Sequence, residues 1–180
     1  MAKKLDLDNL ELEDAYSKEE IQLKVQEISD KISLKYKSET PIIICVLKGA
    51  FLFAADLIKN LDIKYEIDFI KISSYGKKLK SSGEIKLIND IAIDIKNRHV
   101  IIVEDIVDTG LSIKFLKTHF QALKPKSLKF ATLLCKKNIL GLDFNIDWIG
   151  FNIDDGFFVG YGLDYMQLYR GLPNIKKIIK

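Results

Sequence analysis

Cysteine is nearly absent: Cys45 and Cys135 are the only two in the chain. Each lies inside an apolar run of strand length, so buried free thiols are expected and no disulfide framework is implied. Arginine is equally sparse, at Arg98 and Arg170. The remaining positive charge is lysine interleaved with acids, so there is no basic tract of the kind that marks nucleic-acid binding. A regulator that binds RNA would need a basic face, which this interleaving does not supply. No apolar run approaches membrane-spanning length. The opening MAKKLDLDNL lacks the apolar stretch of a signal peptide. A reducing, cytoplasmic setting is expected, with neither membrane nor nucleic acid as partner. Internal repeats, low-complexity tracts and linkers are missing. So are the GxGxxG fingerprint and the nucleotide-binding P-loop.

What remains is an ordinary globular composition, 48% hydrophobic and 29% charged with a net charge of +3. A chain of 180 residues is one domain by size, and long enough to bury roughly two thirds of its unfolded surface. Its chemistry concentrates in His99–Ser112, HVIIVEDIVDTGLS. The apolar run Val100–Val103 leads into the acid pair Glu104-Asp105. Asp108-Thr109-Gly110 follows, and Leu111-Ser112 opens a helical stretch. This reads as a buried parallel strand over Val100–Glu104 that ends in carboxylates, turns through a glycine and feeds a helix N-terminus. Backbone N–H groups and hydroxyls in such a turn, backed by a helix dipole, suit a phosphate. The acid pair suits hydrogen-bond donors such as sugar hydroxyls, or a divalent cation. Side by side, the two halves suit a sugar phosphate.

Strand and helix patterns alternate along the rest of the chain. Residues 1–16 read as a loose arm or a short edge strand. Ser17 and Glu20 form a capping-box pattern, and Ile21, Val25, Ile28 and Ile32 recur at helical spacing, predicting a helix from Ser17 to about Tyr36. Ile42–Leu47 reads as a strand, Lys48-Gly49-Ala50 as a turn and Phe51–Leu61 as a helix. A Lys-Gly turn before a helix is either a second anion cradle or an ordinary connection. Lys64–Ser73 and Glu84–Ile88 read as strands. The polar, glycine-bounded stretch SYGKKLKSSG between them is a surface hairpin loop or a mobile lid. Ser112–Leu123 reads as a helix with Ile113, Leu116 and Phe120 on one side. Further strands are expected over Ser127–Cys135, Trp148–Ile153 and Phe157–Val159, and Tyr165–Arg170 reads as a helical turn. The alternation predicts an α/β fold with a mainly parallel central sheet flanked by helices. Ligands then bind beyond the carboxyl ends of the strands, where all these motifs fall.

Several of these stretches resemble one family. An apolar strand running into Glu-Asp, two apolar residues and Asp-Thr-Gly is similar, residue for residue, to the phosphoribosyl-pyrophosphate motif of the type I phosphoribosyltransferases. Leu47-Lys48-Gly49 resembles the pyrophosphate loop of the hypoxanthine-guanine branch, in which the Leu-Lys peptide can adopt the cis form. Ser74-Tyr75 followed by glycine resembles that family's flexible loop, which closes over the reaction centre. GFNIDDGFFVGYGLDYMQLYR is similar to its purine hood. The resemblance runs from about Pro41 to Arg170.

The resemblance implies one domain over 1–180, with a small hood from the N-terminal arm and about 136–180. It implies transfer of a 5-phosphoribosyl group from phosphoribosyl pyrophosphate to N9 of a 6-oxopurine, hypoxanthine or guanine, with Mg²⁺, in a homodimer or homotetramer. Thr109, Gly110, Leu111 and Ser112 would wrap the 5′-phosphate. Glu104 and Asp105 would hold the ribose hydroxyls, directly or through metal, and Asp108 would exchange a proton with the base. Lys48, Gly49 and Arg170 would meet pyrophosphate, under a lid of Ser74 and Tyr75. Lys136 would donate to the 6-oxo group, Phe157 would stack on the purine and Phe158 would offer backbone contacts. Asp164 would help hold a second Mg²⁺. Two departures lie beside the base: Phe158 replaces a smaller branched residue, and Asp154-Asp155-Gly156 is more acidic than a Pro-containing turn.

Overall fold

The computed structural model describes residues 10–74, 85–137, 139 and 142–179. Six strands form the main sheet: β2 (Ile42–Leu47), β3 (Glu66–Ser74), β4 (Ile85–Asn89), β5 (His99–Val107), β6 (Ser127–Lys136) and β7 (Trp148–Ile153). Their order is β4-β3-β2-β5-β6-β7. Every pairing is parallel except β3 with β4. The α/β expectation therefore holds, with an antiparallel edge. No helix among the described residues is long and apolar enough to cross a membrane.

Successive strand residues serve opposite faces of this sheet. Ile43 and Cys45 of β2, with Ile101 and Val103 of β5, join the core beneath helices α1 (Lys18–Lys35) and α2 (Phe51–Lys59). Ile42, Ile44, Val100 and Ile102 join the other core, beneath α3 (Leu111–Ala122). Both faces are covered, which is why the strands are apolar throughout rather than alternating. The capping box of α1 forms as expected: Ser17 Oγ accepts from Glu20 N–H, and the Glu20 carboxylate accepts from Ser17 N–H at 2.8 Å. Such a cap contributes about 1 kcal/mol. Both cysteines are buried and free, and burial pushes the Cys45 thiol to about 12.

Three findings differ from the sequence reading. β5 does not stop at Glu104 but runs to Val107, because Ile106 and Val107 stay in register with Leu134 and Cys135 of β6. The acid pair thus sits inside the strand. Tyr165–Arg170 is not a helical turn. Tyr165 and Leu168 exchange both backbone hydrogen bonds across Met166 and Gln167, which take left-handed φ of 51° and 70°. Gly162 N–H then bonds back to Arg170 O, so the segment's polar backbone groups go to a reversal rather than a helix. Finally, Ile175–Ile178 forms an unexpected strand, β9. It joins β1 (Leu12–Tyr16) and β8 (Phe157–Val159) in a three-stranded antiparallel sheet of order β1-β9-β8. This small sheet shares the α1–α2 core through Phe158 and Ile175.

Candidate active site

The carboxyl ends of β2, β3 and β5 and the segment after β8 meet at two clefts that share Glu104, Asp105 and Ser112. The first follows Glu104 to Ile113 around the turn into α3. Gly110 is the N-cap of α3, with φ of 78° and no side-chain hydrogen bond. A Cβ there would lie 2.9 Å from Ile139 Cγ2, so both conformation and space call for glycine. The first N–H groups of a helix have no partner within it. Here Gly110 has no side chain to cap them, and Leu111 N–H makes a long 3.4 Å contact to Thr109 Oγ1.

Glu104 and Asp105 form the floor. Glu104 is buried, and its Oε2 has no hydrogen-bond partner among the described residues. Burial, with the charge of Asp105 second, pushes its carboxyl well above the ordinary range. Burial also pushes Asp105 up to about 6, although Ile106 N–H, donating at 2.9 Å, and the Arg170 charge pull it down. Asp105 packs so tightly against Gly49 that no side chain fits on that glycine. Two neighbouring carboxylates, one with an orphaned buried oxygen, suit a hard divalent cation, which takes oxygen ligands. No group of three His, Cys, Asp or Glu among the described residues gathers at metal-binding distance. Asp164, expected as a metal residue, has Oδ1 on Arg170 Nη2 at 2.5 Å and Oδ2 accepting from Gln167 N–H at 2.7 Å.

Around this floor the side chains divide into two groups. In the second cleft, Lys48 follows a cis Leu47-Lys48 peptide. Its Nζ donates to Gln167 Oε1 at 2.9 Å, and Arg170 Nη1 donates to Gly162 O at 2.7 Å. Arg170 Nη2 also reaches Gln167 Oε1 at 3.4 Å. Lys48, Asp164 and Arg170 are therefore drawn together. At the first cleft's side, Lys136 Nζ pairs with Asp108 Oδ1 at 2.5 Å and Asp155 Oδ1 at 3.1 Å. The Asp108 carboxylate, ahead of Asp155, holds the Lys136 ammonium protonated above its ordinary range. No ion pair or hydrogen bond links the two groups among the described residues.

Phe157 and Phe158 part company as β8 alternates. Phe157 is 46% exposed and meets the edge of Tyr165 at 5.5 Å, while Phe158 is 8% exposed in the core. Tyr75, and the side chain of Ser74, lie outside the described residues, so the lid reading rests on sequence alone. Gln167 and Asp155 escaped the sequence reading. Gln167 is a neutral side chain in a polar turn and carries no signal. Asp155 stood out only through the acidity of its turn.

The chain matches the family model described as a phosphoribosyl transferase domain over residues 13–166. A hypoxanthine-guanine phosphoribosyltransferase of Bacillus subtilis is 46% identical over 159 residues, 88% of each chain. A crystal structure of such an enzyme from Bacillus anthracis superposes with a TM-score of 0.87 at 44% identity, covering 93% of this chain and 98% of that one. A hypoxanthine phosphoribosyltransferase of Trypanosoma cruzi, solved with its product IMP, gives 0.84 at 36% identity, with 93% of both covered. Together with the glycine turn, the acid pair and the hood, these likenesses show that the chain belongs to the phosphoribosyltransferase family.

Proposed function

We propose that this chain is a purine salvage transferase. It moves the 5-phosphoribosyl group of phosphoribosyl pyrophosphate to N9 of a 6-oxopurine, hypoxanthine or guanine, giving IMP or GMP and pyrophosphate. The observation that carries the reading is the cleft that runs from a buried acid pair to the helix N-terminus at Gly110 and is lined by Asp108, the carboxylate that pairs with Lys136. Only a ligand with an anion, hydroxyls and a polar base uses all three.

In this reading Thr109, Gly110, Leu111 and Ser112 grip the 5′-phosphate through N–H groups and hydroxyls at the start of the helix. Glu104 and Asp105 accept from the ribose 2′- and 3′-hydroxyls. Lys48, the Gly49 backbone and Arg170 neutralise pyrophosphate as it leaves, the guanidinium fork matching its paired oxygens. Positive charge grows at C1′, as in glycoside chemistry, so positioning and electrostatics carry the reaction. Asp108 takes the proton the base must lose. Lys136 donates to the 6-oxo group, a contact that a 6-amino group cannot accept. Phe157 stacks on the base, and Phe158 supports its pyrimidine edge through its backbone.

Mg²⁺ would be held by Glu104 and Asp105, with Asp164 serving a second ion. When bound it supplies neutralisation of the pyrophosphate charge. One domain over 1–180, a Ser74–Tyr75 lid, a homodimer or homotetramer and a cytoplasmic setting complete the proposal. The setting is supported by the two buried free thiols. The test is pyrophosphate release with hypoxanthine, guanine, xanthine and adenine, with and without Mg²⁺. Metal-dependent release with hypoxanthine and guanine, and none with adenine, is expected. Release with adenine alone would overturn the assignment.

A further inference from the structure

Lys136 faces a conflict. Its ammonium is the donor to the 6-oxo group in the reading above, yet it is closed at 2.5 Å on Asp108, the carboxylate that must receive the base proton. An ammonium has three donors. Held by Asp108 alone, Lys136 would follow that carboxylate wherever it turned. The second partner, Asp155, reaches Lys136 from the turn between β7 and β8 at 3.1 Å. The next rung is built the same way: Lys137 Nζ meets Asp154 Oδ1 at 3.0 Å, and Lys137 N–H donates to Ile153 O at 3.1 Å. A two-rung ladder of ion pairs thus ties the tip of β6 to the hood turn beside the base. Asp155 itself is almost fully exposed, its side chain at 98%, and it packs no core.

We infer that Asp155 is a positioning residue that holds the Lys136 ammonium over the 6-oxo edge of the purine when Asp108 turns to the base proton. This rests on the proposed 6-oxopurine transfer and names the residue that sharpens its base selection. With Asp155 in place, Lys136 keeps one carboxylate partner and directs a free N–H at the base. Without it, the ammonium closes fully on Asp108, and two groups needed by the base are spent on each other. An exposed ion pair is modest in strength, and salt screens it. The effect should be correspondingly modest and salt-sensitive.

The experiment compares wild type, Asp155→Asn and Asp155→Glu in steady-state pyrophosphate release, at low and at about 1 M salt. Asp155→Asn should raise KM for hypoxanthine about three- to fivefold and leave KM for phosphoribosyl pyrophosphate unchanged. Asp155→Glu should restore most of the loss, and the gap between wild type and Asp155→Asn should close at high salt. Melting temperatures should coincide, since the side chain is exposed. An unchanged hypoxanthine KM in Asp155→Asn, with wild type active, overturns the inference. A rise in both KM values with a lowered melting temperature also overturns it, by showing a structural role. A wild type that is inactive on hypoxanthine but releases pyrophosphate with another base overturns the substrate reading beneath it, so the two failures separate.

Discussion

A Cβ atom on Gly49 would stand 1.6 Å from Oδ2 of Asp105. The glycine at the middle of the turn Lys48-Gly49-Ala50 after β2 therefore leaves no room for a side chain beside the second acid of β5. The turn after β2 and the acid pair of β5 thus meet without room for a methyl group between them.

Gly49→Ala must displace either the turn or the carboxylate. We expect a loss of about 1–3 kcal/mol of stability from overpacking, with a rise in KM for phosphoribosyl pyrophosphate of at least about tenfold, which is 1.4 kcal/mol of binding. Thermal unfolding and steady-state kinetics measure the two. A variant with wild-type values for both would show that Asp105 can swing away freely.

Asp108→Asn keeps the shape of the turn but removes the proposed proton acceptor and the charge that pairs with Lys136. Turnover should fall by about 10²- to 10⁴-fold, the usual contribution of a positioned acid or base. Binding of phosphoribosyl pyrophosphate, followed by calorimetry, should change little. Unchanged turnover removes Asp108 from the proton role.

The pH dependence of stability should carry the mark of Asp105. Its carboxyl is pushed up to about 6 from an ordinary value of 3.8, so the folded protein binds this proton more tightly than the unfolded chain does. The corresponding stability is complete below pH 3.8 and is lost as pH rises through about 6. Metal-free wild type should accordingly lose melting temperature across this window relative to Asp105→Asn, and the variant should be the more stable of the two at pH 7. Parallel melting curves across the window would count against a buried, reluctantly charged Asp105.

The two phenylalanines of β8 should behave oppositely. Phe158 is buried at 8% exposure, and Phe158→Ala should cost about 3–5 kcal/mol of stability. Phe157, at 46% exposure, should cost little stability on truncation. The Phe157→Ala variant should instead weaken base binding by about 1–3 kcal/mol, the worth of one base–aromatic stack. Chemical denaturation and the KM for hypoxanthine separate the two effects, and a large stability loss in Phe157→Ala would place it with the core.

Much of this protein is written locally. The apolar runs of β2 and β5, the capping box at Ser17 and Glu20, and the spacing of Ile113, Leu116 and Phe120 announce their elements, because strand and helix periods depend on neighbours a few residues away. Glu104-Asp105 and Asp108-Thr109-Gly110 likewise declare an acid floor and a glycine turn within seven residues. β9 was not legible. Its IKKI is short and half lysine, and it is a strand only because β1 and β8 flank it. The reversal at Tyr165–Leu168 reads as a helical turn because its own two hydrogen bonds are short-range, and the arm that continues it meets Gly162 and Tyr161, through Arg170 and Leu172, only in the fold.

What the sequence alone determined is therefore the α/β layering, the position of the glycine turn into α3 and the chemical character of each motif, all of which follow from short-range pattern and residue type. What only the tertiary structure decided is which charges meet: Lys48 with Gln167 across 119 positions, Lys136 with both Asp108 and Asp155, and Asp105 against Gly49. Such contacts arise from the register and twist of strands brought side by side, and chain spacing carries no record of them.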